Sequence, residues 1–263
     1  MNPLSLDHLT ILDTSPPELV SIAAETGCPL VSLWVIVPVA GNFPLVDASN
    51  RGETARRLKE TGVKLHNVEC IGLSADFEIA NLHRPLELAA ELGARTATAI
   101  CLDPDRARLI DNFARLCELA AEFSLGINVE FFTMGTIDTL ESARHLLNCA
   151  DQANAAITID ILHLIRTGGT QAAIKALPAN LIGYAQICDG PAVIAPDDRV
   201  YESFEERQLP GEGSFPLREF LASLPAGVPL GIEVPQKSQR EKGITPLQRA
   251  RRVVNATRSL LRG

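Results

Sequence analysis

The sequence lacks the patterns that identify several common classes of protein. It has no run of about 20 apolar residues, so we expect no membrane span. It has no GxGxxG motif and no P-loop, the glycine patterns that bind nucleotide phosphates. Basic residues (24) are fewer than acidic residues (32), and the net charge of −8 argues against an extended surface for nucleic acid.

The chain also lacks a disulfide or zinc pattern and a secretion signal. Its six cysteines are scattered and form no CxxC pair, so we interpret them as reduced core residues. The first eight residues contain neither the basic region nor the long apolar segment of a signal peptide. Together with a hydrophobic share of 46%, these features predict a globular cytoplasmic protein.

Eight short apolar runs alternate with helical patterns along the 263 residues. Strand–helix alternation indicates parallel pairing, and eight such units predict an α/β fold with a single (β/α)₈ TIM barrel over residues 1–263. A doubly wound open sheet is the alternative, but the turn after the first run carries no glycine-rich loop. The predicted strands are 8–12, 30–37, 63–73, 96–101, 125–132, 155–160, 181–187 and 228–234.

Four polar side chains end four consecutive apolar runs, and they are Glu130, Asp160, Gln186 and Glu233. A closed parallel barrel brings the carboxyl ends of its strands to one face, so these side chains should meet there. Three carboxylates in one pocket repel each other, and a bound divalent cation removes that repulsion. The all-oxygen ligand set favours Mn²⁺ or Mg²⁺, with Co²⁺ or Zn²⁺ as alternatives.

Each of these residues also has a structural interpretation. An acidic side chain after a strand often caps the following helix or forms an ion pair. His163 follows Asp160 by three residues. We expect it either to face the same mouth of the barrel or to serve as a structural residue.

A polar insertion at residues 189–213 carries Arg207 shortly before Pro-Gly-Glu-Gly. This sequence favours a turn. The functional interpretation is that the turn covers the mouth and directs the guanidinium, which can form two parallel hydrogen bonds, toward an anionic or hydroxyl-rich ligand. Trp34, Phe131 and Phe132 lie near predicted strand ends. They are either core residues or the wall of a pocket for a ligand less polar than a free sugar.

These residues together resemble the xylose-isomerase-like TIM-barrel superfamily of sugar-phosphate isomerases and epimerases, over nearly the whole chain. The resemblance depends on Glu130, the Asp-x-x-His at 160–163, the Arg207 before Pro-Gly-Glu-Gly, and the Gly-Ile-Glu that ends at Glu233. Many members have histidine where this chain has Gln186. A neutral amide oxygen shifts the metal preference from zinc toward Mg²⁺ or Mn²⁺.

The resemblance implies a divalent-metal-dependent isomerase or epimerase acting on a sugar, sugar acid or related keto-polyol through a metal-stabilised enediolate. It implies a metal site formed by Glu130, Asp160, Gln186 and Glu233. It also implies that Glu130 and Glu233 form the acid/base pair, and that His163 and Arg207 bind the substrate. From its position near the predicted mouth, and not from the resemblance, we add Trp34 as a further expected substrate contact. The expected partner is a small molecule, and the expected assembly is a homodimer or homotetramer.

Three other functions are open at this stage. A metal-dependent lyase or dehydratase acting on a hydroxy-keto compound begins with the same proton abstraction, so the sequence does not separate it from an isomerase. A DNA-repair endonuclease on this fold would need a histidine-rich zinc site and a basic face, whereas this chain has five histidines and is acidic. A non-catalytic binding barrel is the third alternative.

Overall fold

The computed structural model of the protein describes residues 2–37 and 43–262. Within these residues, eight parallel strands close into a barrel in chain order, and β8 pairs with β1. This confirms the predicted (β/α)₈ barrel and excludes the open sheet. The strands are β1 Leu4–Asp7, β2 Leu30–Trp34, β3 Lys64–Leu73, β4 Thr96–Cys101, β5 Gly126–Glu130, β6 Ala155–Asp160, β7 Ile182–Ile187 and β8 Leu230–Ile232.

Helices connect the strands on the outside of the barrel, and local sequence fixes several of their ends. Pro16 opens the first helix, and Gly27 ends it in the left-handed conformation at φ 73°. Asp105 caps the fourth helix through two backbone N–H groups. The described helices are α1 Pro16–Thr26, α2 Arg51–Thr61, α3 His83–Glu91, α4 Arg106–Glu122, α5 Leu140–Ala150, α6 Ile161–Arg166, α7 Gln171–Lys175, α8 Arg199–Phe204, α9 Leu217–Leu221, α10 Lys237–Glu241 and α11 Pro246–Arg262.

The predicted first strand is wrong. Residues His8–Ile11 form a 3₁₀ helix, and the strand is Leu4–Asp7, which pairs with both β2 and β8. Leu9 and Ile11 are buried, so they extend the apolar run without belonging to the sheet. The correction matters because it places Asp7 at the carboxyl end of β1.

The other strand predictions agree in place with the structure. Two of them, at 96–101 and 155–160, have the observed bounds. The proline, glycine and asparagine residues in 38–50 predict a loop after the second strand, and residues 38–42 of it lie outside the described residues. The short helices α6, α8 and α10 were not predicted.

The apolar side chains form two clusters. The large one fills the barrel and the layer between strands and helices. The small one, built on Trp34, Cys70, Ile100 and Phe132, lies at the carboxyl end of the barrel. Five of the six cysteines are buried and Cys149 is exposed, so the core interpretation is confirmed for five. None of the helices in the described part of the chain is long and apolar enough to cross a membrane.

Candidate active site

A cavity of about 240 Å³ opens at the carboxyl ends of the strands. The polar part of its lining contains Glu69, Glu130, His163, Arg207 and Glu233. The rest of the lining is mostly apolar and contains Leu9, Trp34, Cys70, Ile100, Leu102, Phe132, Met134, Val200 and Phe204. Of the aromatic residues considered from sequence, Trp34 and Phe132 therefore face the cavity, whereas Phe131 belongs to the main core.

Arg207 lies between two of the predicted metal ligands. Its Nη1 is 2.8 Å from Oδ2 of Asp160, and its Nη2 is 2.9 Å from Oε2 of Glu233. The guanidinium also donates to the carbonyl oxygens of Ser203 and Glu233. Only 4% of Arg207 is exposed, so this cation is fixed inside the site rather than placed on a flexible cover.

Asp160 fits both interpretations of an acidic strand end. Its Oδ1 accepts a hydrogen bond from the backbone N–H of Leu162 at 2.8 Å and caps α6. Its Oδ2 is directed to Arg207. One helical turn later, His163 places Nε2 3.9 Å from Asp160 and 3.8 Å from Oε1 of Glu130. Ligand atoms of these three residues lie within 4.8 Å of one another, close enough to share a cation.

Gln186 is held by its nitrogen. Nε2 donates to Oε1 of Glu233 at 2.8 Å and lies 3.4 Å from Oδ2 of Asp7. The amide oxygen Oε1 is buried and has no hydrogen-bond partner among the described residues. A buried oxygen without a donor is costly unless a cation or water satisfies it.

Two acidic residues of the site escaped the sequence analysis. Asp7 and Glu69 form a second acidic group with Glu233, again with ligand atoms within 4.8 Å. Asp7 could have been found, because Leu4-Ser5-Leu6 before it is an apolar strand pattern that ends in a carboxylate. Glu69 lies inside β3, where its carboxylate accepts from Ser32 at 2.6 Å, and no strand-end signal marks it.

The site contains more carboxylates than positively charged groups to pair with them. Burial, together with the neighbouring acids, raises the pKa of Asp7, Glu130 and Glu233 well above the ordinary values. Burial also raises the pKa of Glu69 to about 8. For His163 the same desolvation acts in the other direction and lowers its pKa to about 4, so the ring is neutral at pH 7.

These residues fit a divalent cation. Five buried or nearly buried carboxylates face one guanidinium, and an unpartnered amide oxygen lies among them. Glu130, Asp160, Gln186 and Glu233 would hold the ion, as the sequence analysis predicted, and their oxygens suit a hard cation. The structure thus provides acidic groups placed to hold a metal, and the assignment of these four ligands stays a prediction.

A family model for the xylose isomerase-like TIM barrel matches residues 20–258. The chain belongs to this family. The resemblance drawn from Glu130, the Asp-x-x-His motif and Glu233 is therefore confirmed.

Named relatives include a dehydratase. A 3-dehydroshikimate dehydratase of Pseudomonas aeruginosa is 35% identical over 132 residues, which are 49% of this chain and 20% of that protein. Among solved structures, a xylose isomerase-like TIM barrel/4-hydroxyphenylpyruvate dioxygenase fusion protein has a TM-score of 0.81 at 21% identity, over 98% of this chain and 42% of its own. The probable 3-DHS dehydratase of petrobactin synthesis from Bacillus anthracis has a TM-score of 0.76 at 18% identity, over 97% of this chain and 99% of its own.

The matched segment is thus about a fifth of the length of that curated relative. The dehydratase names agree with the lyase or dehydratase alternative better than with the isomerase interpretation. The relatives support an enzyme, and the reaction that this chain catalyses is proposed in the next subsection.

Proposed function

We propose that this barrel is a divalent-metal-dependent dehydratase that removes water from a cyclic hydroxy-ketone of the 3-dehydroshikimate type. Support comes from the dehydratase relative, whose sequence matches 49% of this chain. The structural observation that carries the proposal is the cavity itself, whose lining combines several carboxylates with a mostly apolar surface. Such a lining suits a flat carbon ring better than a sugar with hydroxyl groups on every carbon.

The reaction needs a proton removed beside a carbonyl and a hydroxyl lost from the next carbon. A divalent cation held by Glu130, Asp160, Gln186 and Glu233 would polarise the carbonyl and make the neighbouring C–H more acidic. The C–H and C–O bonds break, a C=C bond forms, and the hydroxyl leaves with a proton as water. In a ring that already contains C=C and C=O, enolisation of this product completes an aromatic ring.

Glu130 is our candidate for the group that takes the proton. Its carboxylate lines the cavity and forms no hydrogen bond with the described residues. Glu233 is held instead, by Arg207 on one oxygen and Gln186 on the other. Apart from the cation that it would help to hold, Glu130 has no such partner, so one of its oxygens can approach a substrate carbon and accept its proton.

His163 is our candidate for binding the departing hydroxyl, and Glu130, once it has taken the proton from carbon, returns that proton to the hydroxyl, which leaves as water. The Nε2 atom of His163 lies 3.8 Å from Oε1 of Glu130, so both groups can reach one substrate-sized space. The ring packs edge-on against Phe132, with centroids 5.9 Å apart, which restricts its orientation. Arg207 and Trp34 are the remaining proposed substrate contacts, and both line the cavity.

The test is turnover of 3-dehydroshikimate by protein stripped with a chelator and reloaded with Mn²⁺. We expect a new aromatic absorbance and a product lighter by one water, only in the reloaded sample. Glu130→Gln should lower kcat by about 10²- to 10⁴-fold, the usual contribution of a positioned base. The matched control is Glu141→Gln, whose side chain is 74% exposed at the start of α5 and should leave kcat unchanged.

Product mass separates this function from the alternatives. A product with the mass of the substrate would replace the dehydratase by an isomerase or epimerase, which begins with the same proton removal. Binding of 3-dehydroshikimate without any turnover in the Mn²⁺-loaded protein would favour a non-catalytic barrel.

A further inference from the structure

Asp7 is buried at the end of β1 and is used by no step of the proposed reaction. Its Oδ1 accepts two hydrogen bonds, from the Tyr184 hydroxyl at 2.6 Å and the Ser5 hydroxyl at 2.9 Å. Its Oδ2 remains free for the Gln186 amide, at 3.4 Å. The carboxylate is therefore fixed on one side and directed to a predicted metal ligand on the other.

Gly231 makes this contact possible. β8 lies between β1 and β7, and its Gly231 is level with Ser5 on one side and Gln186 on the other. A Cβ at Gly231 would come within 2.1 Å of Oδ2 of Asp7 and 2.7 Å of the Tyr184 hydroxyl. The missing side chain leaves the space through which Asp7 reaches across one strand.

The orientation of the Gln186 amide decides whether it can bind a metal. Its two ends have nearly the same shape, but only the oxygen can serve as a ligand, because the NH₂ group offers protons rather than a lone pair. Both neighbours of Nε2 are carboxylate oxygens, which accept hydrogen bonds. Rotating the amide by half a turn would replace these two hydrogen bonds by contacts between Oε1 and two carboxylate oxygens.

We infer that Asp7 is a positioning residue that, together with Tyr184 and Gly231, fixes the Gln186 amide so that its oxygen is offered to the metal. This inference rests on the metal site of the proposed function. It assigns a role to a residue on a strand that contributes none of the predicted metal ligands. It also accounts for the buried Oε1 without a partner, since that atom would be kept free for the cation.

Asp7→Asn provides a direct test because it keeps the shape and exchanges one atom. The Ser5 and Tyr184 hydroxyls donate to the side-chain oxygen of the new Asn, so the Asn NH₂ group faces Gln186. This NH₂ group attracts Oε1 of Gln186 and favours the amide orientation in which Oε1 no longer faces the metal. We expect Mn²⁺ affinity, measured by calorimetry on the metal-free protein, to fall by about 10- to 100-fold, the usual loss for a partner of a metal ligand.

Gln186→Glu supplies the matched background. A glutamate at this position offers oxygen at both ends, so its orientation no longer matters, and the NH₂ of Asn at position 7 becomes a good partner. We therefore expect Asp7→Asn to weaken Mn²⁺ binding in the wild-type background and not in the Gln186→Glu background. A general packing role of Asp7 would give the same loss in both backgrounds and would overturn the inference.

If Asp7→Asn does not fold, as judged by circular dichroism and thermal melting, Tyr184→Phe takes its place in the same cycle. It removes one of the two donors that fix Oδ1, and the same dependence on background is expected. Unchanged affinity in the wild-type background would overturn the inference alone. A wild-type protein that binds no Mn²⁺ would overturn both the inference and the proposed function.

Discussion

Replacing Arg207 by methionine should destabilise the metal-free protein strongly. Methionine has a similar length but no charge, so Asp160 and Glu233 lose the cation that pairs with both at 2.8 Å and 2.9 Å. The carbonyl oxygen of Ser203 loses its two contacts to the guanidinium as well. Breaking a buried ion pair by removing one partner costs about 3–5 kcal/mol, because the other charge stays buried without compensation.

The assay is urea unfolding followed by circular dichroism, in chelator and in saturating Mn²⁺. In chelator we expect the free energy of unfolding of Arg207→Met to be about 3–5 kcal/mol below that of the wild type. In Mn²⁺ the difference in the free energy of unfolding between wild type and Arg207→Met should be smaller. A cation that binds only the folded state adds stability, and the carboxylates left unpaired in Arg207→Met should bind it more tightly than those of the wild type. Arg56→Met is the control, since its two partners on α2 are exposed and little change is expected.

Two results would refute this reasoning. A loss below about 1 kcal/mol in chelator would mean that Arg207 is not the main counter-charge of the site, since that is the size of an exposed pair. A difference that Mn²⁺ does not narrow would mean that Asp160 and Glu233 are not where the ion binds.

Two further predictions concern the frame of the site. Gly231→Ala should lower stability by about 1–3 kcal/mol and lower Tm, because its Cβ would meet Asp7 at 2.1 Å; an unchanged Tm would contradict this close approach. Burial lowers the pKa of His8 from 6.5 to about 4, so folding favours the neutral ring and the associated stability is lost as pH falls from about 6.5 to 4. This amounts to about 3 kcal/mol, and acid unfolding should be less steep in His8→Gln, whereas the exposed control His145→Gln should unfold like the wild type.

The barrel could be predicted because its strands are short apolar runs separated by helices with clear ends. Ala155–Asp160 is such a run, and its acidic last residue marks the boundary. The first strand was misplaced because burial alone does not distinguish a strand from a 3₁₀ helix. Leu9 and Ile11 are as deeply buried as strand residues, so the run looked longer and later than it is.

The search for polar side chains at the ends of apolar runs found four residues of the site. It missed the residues whose position depends on three-dimensional packing. Glu69 lies within a strand whose register shifts between Val68 and Ile71, so its direction could not be read from alternation. The contact of Asp7 with Tyr184 joins residues 177 positions apart. The turn after Arg207 was expected to cover the mouth and direct the guanidinium toward a ligand, but the burial of Arg207 and its two carboxylate partners depend on how the insertion packs.

The central claim is that the strand ends form one centre for a divalent cation. Native mass spectrometry of the purified protein tests it most directly, with Asp160→Asn and Glu233→Gln beside the wild type. We predict about one divalent ion per chain in the wild type and a reduced or absent ion in both variants. A wild type that stays without metal after incubation with Mn²⁺, Mg²⁺, Co²⁺ and Zn²⁺ in turn would contradict the account.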